Sequence, residues 1–135
     1  MPSHHELPYR LHTNRELGMM LRGEKPLAVF VDGYDRFPAP VRRYLACFDQ
    51  LVREGLFLKR EYVVPDSTIS GGCKGWHTII YSLPAEAWRI DAMIDLRWRL
   101  SDGWSLDRER EEGHLLGYED WQNEAWLERF SRGSP

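Results

Sequence analysis

Pro38-Ala39-Pro40-Val41-Arg42-Arg43-Tyr44-Leu45-Ala46-Cys47-Phe48-Asp49-Gln50-Leu51-Val52-Arg53-Glu54-Gly55 is the stretch from which the fold class is read. Val41, Tyr44, Leu45, Phe48, Leu51 and Val52 recur at helical spacing and gather on one face. Arg42, Arg43, Asp49, Gln50, Arg53 and Glu54 fall opposite, and Cys47 flanks the apolar stripe. The two prolines suit a helix entrance, and Gly55 suits its exit. A helix with one apolar face needs a layer to lie on, and its flanks supply one.

Upstream, Leu27-Ala28-Val29-Phe30-Val31 is too short for a helix and rich in β-formers. Its lack of alternation predicts a strand covered on both faces, ended by Asp32-Gly33. Downstream, Leu56–Val64 and Trp76–Leu83 read as a β-hairpin around a loop of residues 66–75 that holds three glycines. Before the first strand, Thr13-Asn14-Arg15-Glu16 has the pattern of a capping box, followed by a short helix ending at Gly23.

After the hairpin, Pro84–Leu100 reads as a second long helix whose wide apolar surface implies cover on two sides. Asp95 and Arg99 fall one turn apart on it and are expected to pair. Asp107–Glu112 is an all-charged, solvated run. A last helix follows Gly117, with Tyr118, Trp121, Ala125, Trp126 and Phe130 sharing a face. The expected fold is therefore α+β, in the order α-β-α-β-β-α-α. A crossover followed by a hairpin implies a small mixed three-stranded sheet with helices packed against it. At 135 residues the chain fits one domain, taken as 13–135, behind a loosely held arm of residues 1–12 containing Pro2 and Pro8.

Charge and composition narrow the function classes. The formal net charge is −3, which argues against direct nucleic-acid binding, since that needs a basic face. The acidity is concentrated after residue 106, where eight carboxylates meet four arginines. No apolar run reaches membrane-span length, no leader is visible, and reduced thiols in the cytoplasm are expected for Cys47 and Cys73. Six tryptophans, with six tyrosines and five phenylalanines, exceed what a core of this size needs and raise the expectation of a binding surface.

Three places could carry chemistry or recognition. In the 66–75 loop, Gly71, Gly72 and Lys74 could wrap an anion, although the phosphate-loop pattern is absent and a plain hairpin tip has the same composition. Asp32 at a strand end, His77 and Cys73 have the residue types of nucleophilic catalysis, provided that they meet. The acidic, aromatic C-terminal segment, with Trp104, Tyr118, Glu119, Asp120, Trp121 and Trp126, suits a basic protein partner, including a nucleic-acid-binding one. The same rings could instead dock the last helix, or bury a homodimer seam. His4, His5, His12 and His114 have no helical i, i+4 partner, so neither metal nor cofactor is expected. The leading expectation is a non-enzymatic protein-binding module, such as an adaptor, inhibitor or immunity-type factor. The alternative is a small enzyme or anion-binding domain built on Asp32, the 66–75 loop and His77.

Overall fold

Five helices and one three-stranded sheet make up the described part of the computed structural model, which covers residues 7–66, 68, 74–99 and 103–132, with the backbone alone from 130. They run α1 (Glu16–Leu21), β1 (Leu27–Gly33), α2 (Ala39–Arg53), β2 (Leu58–Pro65), β3 (Gly75–Ser82), a short 3-10 turn (Pro84–Glu86), α3 (Trp88–Trp98), α4 (Leu106–Leu115) and α5 (Asp120–Arg132). The fold is a small α+β arrangement. Contacts gather it into two units: residues up to Pro26 together with those from Asp91 on, and Leu27–Ile90. Nothing in the composition marks either boundary.

In the Leu27–Ile90 unit the strand order is β1-β3-β2, and both seams are antiparallel. The sheet is thus not mixed by pairing: β1 and β2 run the same way but never meet, because β3 lies between them. Their side chains account for this order. From Thr78 to Ser82 every β3 residue is buried, whereas β2 carries Lys59, Arg60 and Glu61, which belong on an edge. For the same reason β1, expected to be covered on both faces, is an outer strand, and its Val31 is exposed.

Direct partners share a face of the sheet, which places Ala28, Tyr81 and Lys59 together, then Phe30, Ile79 and Glu61, then Asp32, His77 and Val63. Helix α2 lies on this face. Phe48 is fully buried and its ring meets Phe30 (5.4 Å), Tyr44 (5.2 Å), Phe57 (5.7 Å) and Tyr81 (4.6 Å). On the same helix Asp49 accepts the Tyr81 hydroxyl at 2.7 Å and pairs with Lys59 at 2.9 Å. At the exit of α2, Gly55 has φ +79°, and the N–H groups of Gly55 and Leu56 turn back to the carbonyls of Val52 and Leu51.

In the other unit, the expected capping box does not form. Asn14 takes φ +66°, Arg15 is the N-cap without a side-chain bond, and α1 starts at Glu16. The turn is closed instead by the Arg15 N–H on the His12 carbonyl. The long helix expected from Pro84 to Leu100, which begins in the Leu27–Ile90 unit, is shortened at its start by the 3-10 turn. Its buried stripe, Ile90, Met93 and Leu96, is narrow, while Trp88 and Trp98 stay exposed. The Asp95–Arg99 pair is present at 3.2 Å, and Arg99 reaches Glu111 as well.

The charged run is the largest departure, because it is helix α4. Ser105 caps it by accepting the Arg108 N–H, and Arg110 bonds Asp107 one turn away and Glu124 on α5. Glutamate and arginine are good helix formers, and here local pairs do what an apolar stripe does elsewhere. Helix α5 then buries Asn123 and Leu127 rather than its tryptophans.

Helix α4 ends at Gly117, with φ +92°, and a Cβ placed there would lie 2.4 Å from Cδ of Pro26. Gly117→Ala is therefore expected to cost about 1–3 kcal/mol by strain and overpacking together. Chemical unfolding measures this cost, and a neutral result would show that the Pro26 contact yields freely.

Candidate functional site

Glu109 and Glu112 lie one turn apart on α4, and around them the aromatic residues of the unit assemble. The Glu109 carboxylate accepts two indole N–H groups at 3.1 Å, from Trp104 ahead of α4 and from Trp126 on α5. The Arg129 guanidinium stacks on the Trp126 ring, 4.7 Å from its centre. Tyr9 meets Tyr118 and Trp121 edge to face at 5.9 and 5.6 Å. Trp121 in turn donates its indole N–H to Glu119. Hydrogen bonds and ring contacts thus link Trp104, Glu109, Trp126 and, across a cavity, Tyr9, Tyr118, Trp121 and Glu119 into one continuous surface.

The cavity measures about 190 Å³. Tyr9, Tyr118, Trp126, Leu11 and Leu116 form its apolar walls, and Thr13, Glu109, Glu112 and Asn123 add polar atoms. Its floor is close-packed: a Cβ on Gly113 would stand 2.0 Å from Oδ1 of Asn123, so only glycine admits that side chain. Burial raises the pKa of Glu112, and the neighbouring Glu109 raises it further; Arg97 and Arg108 pull the other way by less. Burial likewise raises the hydroxyl pKa values of Tyr9 and Tyr118.

Beside Tyr118 lies a second polar cluster. The His12 ring stacks on Tyr118 at 3.7 Å, and the His12 backbone N–H donates to the Tyr118 hydroxyl. Lys25, 2% exposed, donates through Nζ to the Leu116 carbonyl at 2.6 Å and lies 2.8 Å from Nδ1 of His12. Burial pushes the amine down to about 7, and burial with the adjacent Lys25 pushes His12 down to about 4. At neutral pH a histidine so shifted is uncharged, so its Nδ1 can accept from the amine. Within residues 7–12, Tyr9 lies against the aromatic surface and His12 is buried.

No known protein family matches this chain, nor does any curated protein or solved structure. The site has to be judged on its own geometry.

The structure brings together Trp104, Tyr118, Trp121, Trp126 and Glu119 from the C-terminal segment, while Asp120 is exposed in the first turn of α5. Sequence reasoning missed Tyr9, Glu109, Glu112 and Asn123. Two of these sit in the charged run, and the spacing Glu109-x-x-Glu112 would have placed them on one face once that run was taken as a helix.

Asp32 and His77 are direct cross-strand partners on the α2 face. No hydrogen bond joins them: Asp32 accepts the Gly33 N–H at 2.7 Å, and Nε2 of His77 lies 3.0 Å from Glu61. The His77 ring sits near Tyr34 and Phe37 in a cavity of about 220 Å³ that Arg42 and Asp35 also line. Lys74 is exposed, with Nζ 5.0 Å from the centre of the Tyr34 ring. Cys73, Gly71 and Gly72 lie outside the described residues. Among the described residues no histidine, cysteine and carboxylate group is arranged to hold a metal, and no helix is long and apolar enough to cross a membrane.

Proposed function

We propose that the chain is a small protein-binding module that meets a basic partner through the surface formed by Trp104, Trp121, Trp126, Tyr9 and the carboxylates between them. The observation that carries this reading is the state of Trp104 and Trp121. Each is about half exposed, at 52% and 51%, yet each has its indole N–H fixed on a carboxylate, Glu109 or Glu119. A large ring held in place while still facing solvent loses little freedom when a partner covers it, which is what an interface anchor needs. The carboxylates around the rings favour a partner of positive charge and speed the encounter.

The test is Trp121→Ala. An exposed ring lost from the surface costs about 0.5 kcal/mol or less in stability. At an interface hot spot the same change costs about 2 kcal/mol or more in binding, a loss of roughly thirtyfold. Tagged wild-type protein expressed in its source cells is expected to retain a stoichiometric basic protein that the variant loses, at nearly unchanged melting temperature. Equal retention by both, or a large drop in melting temperature, would remove Trp121 from any interface.

A further inference from the structure

We propose that the cavity between Tyr9, Tyr118 and Trp126 receives the charged end of one lysine or arginine side chain of the partner, held by the Glu112 carboxylate. The inference rests on the protein-binding reading above and names what enters the site.

Size comes first. Pockets for drug-sized ligands run from about 300 Å³ upward, so a space of about 190 Å³ suits a single side chain rather than a nucleotide or cofactor. Its chemistry is divided in the way a long basic side chain is divided. Leu11 and Leu116 offer apolar surface to a methylene stem, and three aromatic rings offer π-faces or edges to a cation. Of the two wall carboxylates, Glu109 is engaged by the indoles of Trp104 and Trp126. No hydrogen bond or ion pair reaches the carboxylate of Glu112 among the described residues.

Electrostatics point the same way. The charged groups that face Glu112 are Glu109 on its own helix, Arg108 beside it and Arg97 on α3. Glu109 acts on it more strongly than either arginine does, and burial adds to the same effect. A cation entering the cavity relieves both, so the site favours a positive group over a neutral one of equal shape.

The experiment uses the whole chain, labelled with nitrogen-15, and follows the indole N–H resonance of Trp126. The probes are N-acetyl-lysine methylamide and N-acetyl-arginine methylamide, with the norleucine analogue as the neutral control. At least one cationic probe is expected to give a saturable shift, with a dissociation constant on the order of 1 mM. The norleucine probe, and Glu112→Gln against the cationic probe, are each expected to bind about tenfold more weakly, the loss of one charge-assisted hydrogen bond. A second measurement needs no variant: wild-type binding should tighten as pH rises and the carboxyl ionises.

Equal binding of the norleucine probe, undiminished binding by a folded Glu112→Gln, pH-independent binding or no saturable shift each overturns the proposal. Trp121 does not line the cavity, so its alanine variant reads the surface separately. Partner loss with Trp121→Ala but no probe binding defeats the cavity proposal alone. Probe binding with partner capture unaffected by Trp121→Ala removes Trp121 from the interface and leaves the cavity proposal standing.

Discussion

Phe48→Ala is expected to lower the unfolding free energy by about 3–5 kcal/mol, the largest effect of any single truncation considered for this chain. The ring is fully buried and touches four other rings, from β1, α2, the α2–β2 connection and β3. Cutting it to a methyl group removes those contacts and leaves a void that the surrounding aromatic rings, fixed on sheet and helix, cannot readily close. Urea unfolding monitored by far-ultraviolet circular dichroism measures the loss. Val31→Ala on exposed β1 surface serves as the control and should cost about 0.5 kcal/mol or less. If Phe48→Ala cost no more than the control, the α2 face of the sheet would not be the core of its unit.

Lys25 leads to the second large effect, on the pH dependence of stability. Its amine titrates at about 7 in the folded chain, against an ordinary value of 10.5. Between those values the unfolded chain binds a proton that the folded one does not, so stability rises with pH. The slope for one proton is about 1.4 kcal/mol per pH unit. His12, shifted from 6.5 down to about 4, has the same sign in the window below neutrality. His12 is thus expected to add stability between about pH 4 and 6.5, against an opposite contribution from the raised Glu112 carboxyl, and Lys25 to add roughly 2 kcal/mol from pH 7.5 to 9.5. Lys25→Met removes the upper climb, giving a nearly flat curve over that range, while the lower one, from His12, shrinks to the part that burial causes, since Lys25 adds to that shift. Unfolding free energies of both proteins at pH 7.5, 8.5 and 9.5 decide the matter. Parallel curves would mean that the amine keeps its ordinary proton affinity when folded.

These residues also show what the sequence could and could not disclose. Helix α2 was legible because its burial pattern is local: Leu45 and Phe48 lie on the stripe that the spacing predicts, and Gly55 ends the helix as expected. The hairpin of β2 and β3 was legible for the same reason. The central place of β3 was not, since pairing with β1 joins Leu27 to Ser82 across 55 residues and leaves no local mark. Helix α4 escaped because it is held by a serine cap and ion pairs, to which hydrophobic periodicity is blind.

The site divides along the same line. The tryptophans and carboxylates of the C-terminal segment stood out by composition, but their arrangement did not. The stripe of α5 was read as aromatic, yet Asn123 and Leu127 are the buried positions and Trp121 faces solvent. Tyr9 and His12 looked like part of a loose arm. Their partners Tyr118, Trp121 and Lys25 are brought to them only by the fold, over separations as long as 112 residues between Tyr9 and Trp121.

The buried amine also has a practical consequence for handling the protein. Only three lysines occur in the sequence, Lys25, Lys59 and Lys74. With Lys25 enclosed by His12 and the Leu116 carbonyl, lysine-directed acylating reagents reach Lys59 and Lys74, both in the sheet-bearing unit. Dyes, biotin or a sensor matrix coupled through lysine would attach there and leave the side chains of the unit that holds Trp104, Trp121 and Trp126 chemically untouched.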